Sequence, residues 1–111
     1  MIGGDMDGKR ISQRLLQEQY ASRVRDLCQN TSNIVLTEHA EDRMWERHIN
    51  FDLVLKALRN GQITYQKLDK NGNPELQASI FVRSRSMSVI CALVQHNGRI
   101  IVITTMWDDT Q

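Results

Sequence analysis

The sequence predicts an α+β domain in which N-terminal helices pack on one face of a four-stranded, mainly antiparallel sheet. Three observations carry this. Apolar residues recur at steps of three and four between Lys9 and Gln29, capping residues bracket two further segments between Thr37 and Gly61, and the chain after Gly61 alternates strand-like runs with turn clusters. With 111 residues, one compact domain is expected rather than two independent cores. Ile, Leu, Val and Phe together number 29, about a quarter of the chain, which is enough apolar material for a core and too much for wholesale disorder.

The first eight residues carry three glycines and no periodicity, so a flexible leader is expected over 1–8. From Lys9 to Gln29 the residues Ile11, Leu15, Leu16, Tyr20, Val24, Leu27 and Cys28 make one apolar stripe on a Gln- and Arg-rich helix. Such a helix usually covers a core. Its polar side (Arg10, Arg14, Arg23, Arg25) is mostly basic, which also suits a helix that meets a partner. Asn30-Thr31-Ser32-Asn33 breaks it, and a short apolar segment, Ile34-Val35-Leu36, follows. Thr37 is a good N-cap for a second helix running to about His48, with Glu38 and Glu41 favourable to the positive end of its dipole. Asn50 caps a third helix that carries Leu53, Val54, Ala57 and Leu58 on one face and stops at Asn60-Gly61. Strands are expected over 62–68, 76–83, 86–95 and 99–106, with a turn cluster at 69–74 and a tight Asn97-Gly98 turn before the last. The third and fourth strands have continuous apolar runs, which suits the centre of a sheet.

A formal net charge of +1 supplies no overall electrostatic reason to bind nucleic acid, acidic lipid or acidic protein. Within the basic residues, 10 are Arg and 4 are Lys, and Arg is the better fork for phosphate or carboxylate. Cys28 and Cys91 share no metal-ligand spacing, and Cys91 sits in an apolar run where Cys behaves as a small hydrophobe. One cysteine pair in a chain able to build its own core is weak evidence for secretion. There is no signal-like apolar stretch and no run near 18 apolar residues, so a cytoplasmic protein with no membrane partner is the default expectation.

The informative segment is 37–49. At about 100° per residue, with His39 at zero, Arg43 falls near 40°, Arg47 near 80° and Glu46 near −20°, while Ala40 and Met44 near 100° and 140° form the buried stripe. An imidazole in the first turn followed by two guanidinium groups on adjoining turns is a workable phosphate site: the His exchanges protons near neutral pH and the Arg residues hold non-bridging oxygens. The plainer reading is a backbone-bonded His and an Arg43 paired with Glu46 or Glu41 on its own helix. His48 lies on the opposite side from His39, no His-x-x-x-His or Cys-x-x-Cys pattern exists, and no metal or cofactor is expected. Trp45, near −120°, either covers the first helix, the commoner role, or marks an exposed contact surface. Trp107 either caps the core or stacks on a base. Arg83 and Arg85 flank Ser84 and would extend a phosphate surface if they are not simply a solvated turn.

The string Leu36-Thr37-Glu38-His39-Ala40-Glu41-Asp42-Arg43-Met44-Trp45-Glu46-Arg47-His48-Ile49, followed by 51–58 and Asn60-Gly61, resembles domain-of-unknown-function family 4258. These small prokaryotic proteins begin with a T-x-H-A-x-x-R-M-x-x-R-x-I helix, a second short helix ending at Gly, and a β-meander. The resemblance covers roughly 34–107, and the helix over 9–29 lies outside it. The family's likeness to RelE-like toxins and other small metal-independent ribonucleases implies a RelE-like layout, with a site where helix meets sheet. His39 would then be base or acid, and Arg43 and Arg47 would be the cations that stabilise the phosphorane-like charge of RNA cleavage. A second proton-transfer group would come from the sheet, with Tyr65, His96 and Glu75 as candidates and Thr104 able only to position. The implied partners are RNA or the ribosome, and a cognate antitoxin or other protein through the 9–29 helix. The competing expectation is a non-catalytic protein-interaction module, antitoxin-like or host-factor-binding, on the same scaffold.

Overall fold

The computed structural model describes the backbone of residues 2–109 and the side chains of residues 12–109. Three helices, α1 (Ile2–Leu27), α2 (Glu38–Arg47) and α3 (Phe51–Asn60), pack on a sheet of five strands. These are β1 (Ile34–Leu36), β2 (Gln62–Leu68), β3 (Pro74–Val82), β4 (Arg85–Val94) and β5 (Arg99–Trp107). The α+β class, with its helices preceding a β-meander, is as the patterning predicts. The sheet, in the order β1-β5-β4-β3-β2, is antiparallel throughout the meander but mixed overall.

Two expectations need correction. The sheet has five strands rather than four, because Ile34–Leu36 pairs in parallel with Ile100–Val102. Three residues are too few for an alternation signal, and only the last strand, distant in sequence, supplies their hydrogen-bond partners. Helix α1 begins at Ile2, so it takes in the stretch expected to be a leader and ends at Leu27 rather than Gln29. Extending a formed helix fixes one residue per new hydrogen bond, a far smaller cost than nucleating one, so glycines lower its stability without setting its boundary. Arg10 and Ile11 lie outside the described side chains.

The caps behave as their residue types demand. Thr37 Oγ1 accepts from the Ala40 N–H (3.0 Å) and Asn50 Oδ1 from the Leu53 N–H (2.9 Å). His48 closes α2 in the left-handed region at φ 57°. Gly72 and Gly98, with φ of 82° and 68°, make the β2–β3 and β4–β5 turns that bulkier residues adopt only under strain.

One core joins all three helices to a single face of the sheet. Val24 from α1 and Cys28 just past its end, Ala40 and Met44 from α2, and Val54 and Leu58 from α3 meet inward-facing residues such as Leu76, Val89, Cys91, Leu93, Ile100 and Val102. By the pleat, Val35, Ile90, Ile101 and Ile103 turn to the other face, where they are half-buried or exposed. The long apolar runs of β4 and β5 therefore mark central strands, as expected, though helices cover only one side. No helix among the described residues is long and apolar enough to cross a membrane.

Cys28 and Cys91 are free thiols inside this core. Burial pushes Cys28 from its ordinary value near 9 up to about 11, with Arg59 pulling slightly the other way. Burial, aided by Cys28 and Glu75, pushes Cys91 up to about 12. Only the thiolate attacks electrophiles, so at pH 8 about one Cys28 in a thousand is reactive. Alkylation of the native protein should therefore run at least about a hundredfold slower than in denaturant. Because both native values are raised, the unfolded chain ionises first. Stability should hold below pH 9 and fall as pH climbs from 9 towards 12. The loss of titratable thiol with time in the alkylating agent, native against denatured, and an alkaline denaturation series check both statements.

Candidate functional site

Helix α2 is held against β5 at both ends, and this sets which of its side chains are free. At its start Thr37 donates through Oγ1 to the Val102 carbonyl (2.9 Å), and the Thr37 N–H reaches the same oxygen (3.2 Å). At its end the Arg47 guanidinium donates to the Thr105 carbonyl, while Trp107 Nε1 donates to the Arg47 carbonyl (2.7 Å). The helix thus runs alongside β5 from Val102 to Trp107, over the stretch that β1 is too short to pair. Its hydrogen-bonding side chains satisfy part of an edge that would otherwise be open. Ala40 and Met44 point down into the core, as their wheel angles require.

His39, Arg43 and Arg47 do share one side of α2, but in different states. His39 is exposed, and no hydrogen bond reaches its ring among the described residues. Arg43 is paired with Glu46 one turn on, the plainer of the two sequence readings. Arg47 is half-buried and committed to β5. The three candidate partners for proton transfer are not gathered opposite His39. Tyr65 lies on β2, at the far edge of the sheet, with its ring 5.6 Å from that of Tyr20. Glu75 alternates with the buried Leu76 and so faces away from the helices. His96 is in the exposed β4–β5 turn, before the part of β5 that α2 follows. Thr104 is half-buried on the helix-free face, and its neighbour Thr105 is the residue buried beneath α2, with its hydroxyl unpaired.

The other Arg and Trp candidates are also engaged. Arg85 lies 4.3 Å over the Trp107 ring and forks onto Asp109, whose carboxyl this hydrogen bond holds below the usual carboxylate range. Trp107 therefore caps the end of the core. Arg83 remains in an exposed turn with positive φ.

Trp45 overturns the expectation that it covers the first helix. It is 86% exposed, on the side of α2 opposite the His39 edge. Beside it is a groove of about 490 Å³ lined by Leu36, Glu41, Met44, Trp45, His48, Ile49 and Asn50. Its floor is apolar, and it forms where α2, the end of β1 and the link to α3 converge. Sequence reasoning missed this groove because Leu36 and Ile49 come from separate elements. The signal that was present was Trp45's angle, off both the buried stripe and the His/Arg edge.

A second cluster the sequence did not suggest lies on the helix-free face of the sheet. Gln77 Nε2 donates to Ser88 Oγ (2.9 Å), Ser79 and Ser88 hydroxyls are 2.8 Å apart, and Ser88 Oγ donates to Asp108 (2.8 Å). These groups satisfy one another and tie Asp108 back to β4.

A family profile matches residues 36–107, well over half of the chain, and it begins at the end of β1 and closes on Trp107. The chain belongs to the family described as Domain of unknown function (DUF4258). Comparison with curated proteins and with solved structures returns no match. The DUF4258 segment contains α2, α3, the meander and the Trp45 groove. It leaves α1 outside, although Val24 and Cys28 complete the core.

Proposed function

We propose that this DUF4258 protein acts as a protein-interaction module whose docking surface is the groove beside Trp45. The observation that supports it is the exposure of Trp45 (86%) at the rim of an apolar groove. A Trp that borders an apolar groove is an amphipathic anchor, and such anchors dominate binding energy when a partner covers them. The competing reading is a RelE-like, metal-independent ribonuclease working through His39, Arg43 and Arg47. It has in its favour an accessible imidazole beside two guanidinium groups. Against it, Arg43 is neutralised by Glu46, Arg47 is spent on a strand carbonyl, and the candidate partners Tyr65, Glu75 and His96 are placed elsewhere on the fold.

The two readings separate cleanly in one comparison. Tagged protein and its Trp45→Ala and His39→Ala variants are recovered from native cells, with any bound protein, a second copy included, identified and quantified. Each is also incubated with RNA. The docking reading expects Trp45→Ala to weaken partner binding about thirtyfold, His39→Ala to leave it intact, and RNA to survive all three. RNA cleavage that disappears with His39→Ala would establish the ribonuclease instead.

A further inference from the structure

We infer that the groove beside Trp45 takes up the protruding α1 helix of a second copy of this chain, so that two copies exchange arms. This rests on the docking reading above and names the occupant. Charge selects it. On α2, Glu41 and Asp42 stand one turn before Trp45, and Glu38 stands a further turn back, so carboxylates border the aromatic ring. All three are exposed, and none forms a salt bridge among the described residues. The fitting segment is therefore cationic, with apolar side chains for Leu36, Met44 and Ile49 and a guanidinium for the face of Trp45.

The chain carries such a segment. Helix α1 has 26 residues, about 39 Å of helix, yet among its described side chains those that join the core are in its C-terminal part, Ala21 and Val24 with Tyr20 and Leu27 beside them. Ahead of that part Leu15 is 52% and Leu16 38% exposed, beside the exposed Arg14. The sequence from Lys9 to Gln17 holds three cations and no carboxylate. An apolar pair flanked by Arg on a helix complements an apolar groove flanked by Glu and Asp.

The described part of the arm is anchored away from its own groove. Gln17 accepts from the Tyr65 N–H (2.9 Å) at the β2 edge, and Arg25 donates to the Gly61 carbonyl (3.2 Å). The groove lies past the β1–β5 edge, four strand spacings or about 19 Å away across the sheet. A second copy meets the requirement, and reciprocal exchange closes a two-fold dimer with both grooves filled.

Sedimentation of the full chain across micromolar to submillimolar concentrations, at low and high salt, tests this. The expected result is a monomer–dimer equilibrium that weakens with salt. Trp45→Ala or the Leu15→Ser/Leu16→Ser pair should weaken it about thirtyfold, with unchanged far-UV circular dichroism. Glu41→Lys/Asp42→Lys and Arg14→Glu should each associate poorly alone and form a heterodimer when mixed. A chain that stays monomeric overturns the inference, as does a dimer indifferent to Trp45→Ala and to the charge exchange. If that monomer still holds a foreign protein through Trp45, the docking reading stands and only its occupant changes. If Trp45→Ala alters neither measurement, both fall.

Discussion

Gly61→Ala should lower stability by about 3 kcal/mol and the melting temperature by about 10 °C or more, although it adds one methyl group. A Cβ at Gly61 would lie 2.4 Å from the Ala57 carbonyl oxygen and 2.7 Å from that of Ser79. Both are backbone atoms, one in the last turn of α3 and one in β3, so relief requires moving a helix away from the sheet it packs on. The Gly61 N–H also donates to the Ala57 carbonyl (2.8 Å), fixing the approach. The comparison variant is Gly72→Ala, where nothing lies within 4 Å and the cost is only that of a positive φ, about 1 kcal/mol. Urea titrations of the two variants check the contrast. Equal losses would show that crowding at Gly61 is not what demands glycine there.

Arg47→Ala should cost about 2 kcal/mol, the range of a hydrogen bond from a charged group, whereas Arg43→Ala should cost about 0.5 kcal/mol or less as an exposed pair within one helix. Arg47 binds the Thr105 carbonyl, and its own carbonyl receives Trp107 Nε1. Removing the guanidinium strips an edge carbonyl of its partner at the point where α2 is fastened to β5. Arg43 loses only Glu46. Denaturant midpoints of the two variants measure the difference. Two residues that look equivalent on a helical wheel thus separate into one that holds the fold and one that does not. If Arg47→Ala proves as mild as Arg43→Ala, α2 is held by Ala40, Met44, Thr37 and the Trp107 hydrogen bond to its last carbonyl without help from the guanidinium.

Both helix N-caps, the end of α3, all four meander strands and the core stripe of α2 were legible, because each depends on neighbours within a few residues. Even so, Gly61 was legible for a different reason than its real one. The sequence suggests a helix-ending glycine, but its φ is −76°, ordinary for any residue, and what excludes a side chain is the pair of backbone oxygens of Ala57 and of Ser79, the second eighteen positions on. Strand β1 escaped detection because its partner is β5, at the other end of the chain.

The candidate site divides in the same way. The sequence by itself determined that His39, Arg43 and Arg47 share a helix edge, that Trp45 is turned away from it, and that the chain belongs with DUF4258. Those follow from residue order and a 3.6-residue turn. Only the tertiary structure decided that Arg47 is spent on Thr105, that Tyr65, Glu75 and His96 lie on other parts of the sheet and its turns, and that Trp45 stands exposed beside a groove rather than covering α1. The physical reason is that helical periodicity sets the angle of a side chain about its own axis. What lies along that direction depends on strands separated from α2 by as many as sixty residues, and on how the backbone groups of β5 find partners where β1 ends.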